Sequence, residues 1–136
     1  MQNSPLSENT FIQVIKVQPP DIDTLDHVNN VVYLRWVQDV ATAHWEKIAS
    51  TEMKKKYLWV VLRHEIDYRN PAMLGDELTV RTWVGSSEGA KSVRHVEFLL
   101  SASGKLVAEA KTTWCLLDSQ TMRPKRIESD IASIFQ

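Results

Sequence analysis

Cysteine is nearly absent: Cys115 is the only one in 136 residues, which excludes an intramolecular disulfide framework and fits a reducing, cytoplasmic setting. Net charge is also lacking. Sixteen Lys and Arg stand against 17 Asp and Glu, so no overall field draws in nucleic acid or an anionic membrane, and an anionic ligand must be held locally. No window approaches the roughly eighteen apolar residues of a membrane span, and Met1 to Thr10 lacks the basic-then-apolar run of a signal peptide. Repeats and low-complexity tracts are missing as well. What remains is 43% hydrophobic and 24% charged, the composition of an ordinary globular domain long enough to bury one core.

Within that domain the hydrophobic period changes in a readable order. Residues 1–9 read as a loose leader, and Phe11, Ile12, Val14, Ile15 and Val17 form a β-prone run stopped by Pro19-Pro20. From about residue 30 to 49, Tyr33, Trp36, Val37, Val40, Ala41, His44, Trp45 and Ile48 recur at spacings of three and four. That is one apolar stripe of a helix of about five turns, free of Gly and Pro, with Asn29 or Asn30 placed to cap it. After a charged connector with Lys54-Lys55-Lys56, the period becomes two: Leu58, Val60, Leu62, Ile66 and Tyr68 alternate with residues that include Arg63, Glu65, Asp67 and Arg69. Extended runs follow over 78–84, closed by Gly85-Ser86-Ser87, then 92–100 and 106–117, with a tight turn at Ser103-Gly104. Residues 119–136 form a C-terminal extension with a weak helical pattern.

The fold class is therefore α+β: five antiparallel strands wrapped around one long central helix, with the domain proper at 10–118. Only the sheet can cover the helix's aromatic stripe, so the helix belongs on its concave face. Open sheet edges favour side-by-side joining of two copies.

Chemistry concentrates in Asp21-Ile22-Asp23-Thr24-Leu25-Asp26-His27-Val28-Asn29-Asn30, which leads into the helix. A helix N-terminus carries unpaired N–H groups and the positive end of the dipole, and so stabilises negative charge developing on a carbonyl oxygen. An aspartate beside it can act as general base or nucleophile. The same residue types also serve as plain caps and turns, and spacing alone does not choose between these readings. A metal site fits poorly, since an EF-hand counted from Asp21 would place Asp26 at its glycine position and Val32 at its terminal acid. No metal or cofactor is implied. No G-x-S-x-G elbow occurs, and Cys115 falls within a strand. His44 and His64 read as packed histidines, and His95 as facing solvent.

The run D-T-L-D-H-V-N-N-V-V-Y from Asp23 to Tyr33 resembles the signature of hotdog-fold thioesterases of the 4-hydroxybenzoyl-CoA thioesterase-like group, especially long-chain acyl-CoA thioesterases. Its H-V-N-N-x-x-Y part is also similar to plant acyl-ACP thioesterases. Ile66 to Ala72 with Gly75-Asp76 is similar to the family's strand and turn after the helix, and the likeness spans about residues 11–118 in the same element order. The resemblance implies hydrolysis of acyl-CoA, or acyl-ACP, in fatty acid metabolism, with Asp23 as catalytic carboxylate. It further implies the backbone N–H near Asn30 as oxyanion donor and His27 as a group orienting the carboxylate or a water. Leu25 stands where the plant enzymes have asparagine, so a water network built on that amide is not expected. A homodimer or homotetramer with an acyl tunnel beside the helix is implied. Arg69, Lys91 and Arg94 are the candidate cations for carrier phosphates. The competing reading is a binder of acyl carriers that does not hydrolyse them, since one fold hosts several activities.

Overall fold

The structure, a computed structural model, describes residues 9–136; the expected leader over 1–9 lies almost wholly outside them. In chain order the elements are β1 (Phe11–Lys16), a 3-10 turn (Pro19–Asp21), α1 (Asn30–Ile48), α2 (Thr51–Lys56) and β2 (Tyr57–Tyr68). Then come β3 (Glu77–Glu88), β4 (Lys91–Leu100), β5 (Leu106–Asp118), α3 (Ser129–Ala132) and a closing 3-10 turn (Ser133–Phe135). The five strands form one antiparallel sheet in the order β1-β3-β4-β5-β2. This is the hotdog arrangement: β3, β4 and β5 make the meander, and the strands flanking α1 in sequence take the two edges.

Helix α1 is fixed by its stripe. Val32, Tyr33, Trp36, Val37, Val40, Ala41 and His44 are buried, and the first five share a core with Leu78, Val80, Val96 and Phe98 from the inner faces of β3 and β4. The contact is aromatic at its centre: the Phe98 ring lies 5.3 Å from Tyr33 and 6.1 Å from Trp36. Tyr33 also meets Trp36 edge-on at 5.4 Å. Such pairs add to the stabilisation from area burial, and their preferred edge-to-face geometry fixes the helix's rotation about its axis.

Three local patterns depart from the sequence reading. The charged connector folds as α2, because Ser50 caps it by accepting from the Met53 N–H at 3.1 Å and its three lysines sit favourably at the C-terminal end. In β2 the register passes from Val61↔Trp114 to Arg63↔Thr113, so Leu62 is an extra residue in a bulge. One inserted residue reverses which side chains face inward. Trp59 therefore packs on Trp45 and Ile66 joins the core, while Leu58, Val60 and Leu62 point outward and are exposed. Finally, β3 does not end at Gly85 but continues to Glu88 with a register shift between Val84 and Ser87. Gly85 makes room for a ring: a Cβ there would lie 2.8 Å from His95 Nε2, and His95 is stacked on Trp83 rather than turned to solvent.

The Phe98 contact makes a quantitative prediction. Phe98→Ala removes a fully buried ring beneath α1 and is expected to cost about 3–5 kcal/mol of unfolding free energy in urea. A loss below about 1 kcal/mol would show that the helix is not held at this point.

Candidate active site

The loop between the first 3-10 turn and α1 is a miniature hairpin. Ile22 and Val28 form a bridge; on one side of it the Asp23 N–H donates to His27 O at 2.9 Å, and on the other the Asn29 N–H donates to Asp21 O at 2.9 Å. Asp26 turns the tip with φ +64°, a left-handed conformation that Asp tolerates better than most residues. The hairpin is sewn to the β2–β3 connection by a His27↔Met73 bridge and by the Val28 N–H donating to Ala72 O at 2.9 Å.

The two acids of the D-x-D pair have different surroundings. Asp21 is 5% exposed, accepts from the Gln18 N–H at 2.9 Å and from Arg35 Nη2 at 3.0 Å, and so ties the loop to the first turns of the helix. Asp23 is only half-buried. Its Oδ1 accepts from the Leu25 N–H at 2.9 Å and the His27 N–H at 3.4 Å; its Oδ2 has no hydrogen-bond partner among the described residues. The carboxylate is thus oriented by its own loop with one oxygen left over.

At the helix start, Asn29 is the cap. Its side chain accepts from the Val31 N–H at 3.0 Å and its carbonyl from the Val32 N–H at 2.9 Å. The Asn30 N–H, by contrast, meets no acceptor among the described residues, while its carbonyl accepts from the Tyr68 hydroxyl at 3.2 Å. One donor at the positive end of a 19-residue helix therefore stays unused. Asp23 sits two hairpin rungs from Asn29, roughly 7 Å at the rise of an extended chain.

The expected site residues fall into two groups. Asp23, His27 and Asn30 share the hairpin and helix start, and Arg69 follows Tyr68, whose hydroxyl touches Asn30. Arg69 is half-exposed and paired with Glu109 at 3.0 Å and Asp67 at 3.6 Å. The His27 link to Asp23 runs through the backbone amide; its ring makes no hydrogen bond among the described residues. Lys91 and Arg94 lie at the other end. Lys91 is exposed and pairs with Cys115, whereas Tyr68 pairs with Ala108, a separation of roughly 23 Å along β5. Arg94 is buried beneath α1 and donates from Nη1 to His44 Nδ1 at 3.0 Å.

Two features escaped the sequence. Tyr68 contributes its hydroxyl to the helix start from the far edge strand, a contact that only the sheet order creates. Around the hairpin runs an apolar collar, Leu25 (71% exposed), Val31 (68%), Leu74 (58%) and Met73 (41%), and an open groove passes between Pro19, Ile22, Asp26, Met73 and Leu74. Among the described residues no cluster of His, Cys, Asp and Glu is arranged to hold a metal ion, and no helix is long and apolar enough to cross a membrane.

Residues 17–135 match the family model of the thioesterase-like superfamily. FadM, a long-chain acyl-CoA thioesterase of Escherichia coli strain K12, is 27% identical over 122 residues, which cover 86% of this chain and 90% of FadM. The solved structure of YbaW from Escherichia coli superposes with a TM-score of 0.79 at 26% identity, covering 90% of this chain and 94% of YbaW. The 12:0-ACP thioesterase from Umbellularia californica superposes with a TM-score of 0.80 over 94% of this chain and 51% of the plant protein. At 17% identity that match speaks for the fold alone.

His44 gives the helix a pH-dependent anchor. Burial first, then the charges of Arg94 and Lys47, push its imidazole down from 6.5 to about 4. A histidine held neutral in the fold but free to protonate when unfolded leaves stability full above pH 6.5 and lowers it as pH falls toward 4. Urea unfolding at pH 7 and pH 5 should show a drop of about 1–2 kcal/mol from this residue, and His44→Gln should flatten that part of the slope. An unchanged slope in the variant would remove His44 as its cause.

Proposed function

The chain belongs to the thioesterase-like superfamily, and from that premise we propose that it hydrolyses the thioester of an acyl-CoA, with Asp23 and the Asn30 N–H as the groups that act on the carbonyl. Thioester hydrolysis is the activity of the family; the substrate class and the residues are our reading. The observation that carries it is the pairing, in one hairpin, of a carboxylate oxygen and a helix-start N–H that both lack partners among the described residues.

Hydrolysis needs attack on a carbonyl carbon and a place for the charge that builds on its oxygen. With the carbonyl oxygen at the Asn30 N–H, the developing oxyanion accepts that hydrogen bond and the field of α1. One such donor typically contributes about 3 kcal/mol to the transition state. Asp23 then acts in one of two ways. As general base it takes a proton from water, the hydroxyl adds to the carbon, and the tetrahedral intermediate collapses to free acid and a thiolate that picks up a proton. As nucleophile it forms a mixed anhydride, expels the thiolate, and is released when water opens the anhydride. Both routes consume one water and give the same products. His27, in the same hairpin as Asp23, is the group we assign to orienting the water.

FadM's substrate, a long-chain acyl-CoA, is the class we assign; an acyl group on a carrier protein is the related alternative. Either carrier brings phosphates, and Arg69 lies at the helix-start end where they must approach. Lys91 is exposed at the start of β4, beside the far end of β5, and suits a carrier that lies along the sheet. Arg94, 5% exposed beneath α1, is left out of the carrier site.

A second copy of the chain completes the proposed site. Edge strand β2 exposes Leu58, Val60 and Leu62, and the apolar collar rings the catalytic loop, so pairing two chains buries surface that water otherwise covers. We expect a homodimer or homotetramer at micromolar concentration by light scattering; a monomeric mass would contradict this. Asp23→Asn is expected to lower kcat on long-chain acyl-CoA by about a hundredfold or more with the fold intact by circular dichroism. Equal turnover by wild type and variant would take Asp23 out of the mechanism.

A further inference from the structure

The inner face of β4 runs Ser92, Arg94, Val96, Phe98, all buried, and Arg94 is the charged residue among them. It is 5% exposed. Its Nη1 donates to His44 Nδ1 and to Thr82 Oγ1, each at 3.0 Å, which uses both hydrogens on that nitrogen. The Nε hydrogen and the two on Nη2 meet no acceptor, and no carboxylate lies within ion-pair distance, among the described residues. Phe135 covers the guanidinium with its ring centre 5.6 Å from the central carbon. His44 accepts through Nδ1, so it offers a lone pair but no negative charge.

A guanidinium taken out of water without an anion is costly, by several kcal/mol per ion even after relaxation. The edge that Arg94 leaves open, Nε with Nη2, is the fork that matches the two oxygens of one carboxylate.

That residue lines a cavity of about 260 Å³ at the C-terminal half of α1. Ala41, Trp45, Trp59, Trp114 and Phe135 supply most of its apolar wall. The indole N–H groups of Trp59 and Trp114 are themselves buried without an acceptor. Glu46 and Lys54 also reach the wall, but they pair with each other at 3.3 Å. The wall therefore combines aromatic surface with the open Arg94 fork and has no acid left to neutralise it.

We propose that this cavity binds a carboxylate carried on an apolar stem, with Arg94 as its anchor. Two sources share that chemistry. One is the far end of an acyl group whose thioester sits at Asn30, a source that rests on the hydrolase reading above. From Asn30 to Trp45 the helix rises about 22 Å, so only a long chain running beside the helix spans both ends. The other is a separate carboxylic acid bound at this end alone.

Three of the five tryptophans line the cavity, so intrinsic fluorescence reports its occupancy without any turnover. The full chain is titrated with octanoate and with 1-octanol, which share a stem and differ in the charged end. Octanoate is expected to saturate the signal and to bind about tenfold tighter or better, the scale of a charge-assisted hydrogen bond. Arg94→Gln is expected to erase that difference while leaving octanol binding unchanged. Equal binding of the two by the wild type, saturation by neither, or unchanged octanoate affinity in a folded Arg94→Gln overturns the proposal. Hydrolysis of hexadecanoyl-CoA and of the monothioester hexadecanedioyl-CoA separates the sources. A preference for the second that Arg94→Gln abolishes assigns the carboxylate to the substrate's far end; equal rates with octanoate binding intact assign it to a separate acid. Octanoate binding with no hydrolysis of either thioester supports the cavity and sinks the hydrolase reading.

Discussion

Everything in this molecule depends on the burial of one helix face against one sheet face. Tyr33, Trp36, Val37 and Val40 leave water against the inner sides of β3, β4 and β5, and that contact fixes α1 in position, rotation and direction. Direction matters most, because a helix is electrically polar along its axis. Once the stripe is docked, the end with unpaired N–H groups must emerge beside the 22–29 hairpin, and the other end must lie over the aromatic cavity. The two candidate binding regions are thus the two ends of a single packing decision.

The hairpin turns that polarity into a local device. Its rungs hold Asp23 at a set offset from the helix start, and two amides of the loop take one carboxylate oxygen, so the other can face a ligand without reorganising. Asp21 does the structural work nearby by joining the loop to Arg35. Two acids separated by one residue therefore have opposite fates, one buried and neutralised in place, the other half-open. This division is what the proposed site requires: desolvation falls on the neighbouring Asp21, and the carboxylate assigned to the reaction keeps one oxygen open.

Much of this was legible in the residues themselves. The stripe from Tyr33 to Ile48 gives α1 nearly to the residue because a five-turn period is hard to imitate, and the strands from 92 to 100 and from 106 to 117 follow from alternation bounded by turns. The hotdog fold and thioesterase family implied by the D-T-L-D-H-V-N-N motif agree with the sheet order and the family match. What the sequence concealed was parity and distance. A single extra residue at Leu62 reverses the facing of half of β2, and no composition rule announces a bulge. Tyr68 reaches Asn30 only because β2 lies next to β5 at the sheet edge. Arg94 was visible in principle: it shares the inward period of Val96 and Phe98, but a charged residue on a core face is normally read as an error in the pattern rather than as a buried group.

In the proposed mechanism the helix-start amide and the loop carboxylate meet the same carbonyl. Isotope-edited infrared difference spectroscopy of a thioester labelled with carbon-13 at its carbonyl, bound to the Asp23→Asn protein, reads that meeting at the bond itself. The carbonyl stretch should fall at lower frequency than the same thioester shows in water, because a fixed donor and the helix field polarise the bond. A stretch at the aqueous position or above it would mean that the helix-start amide does not hold the carbonyl, whatever the turnover of the wild type.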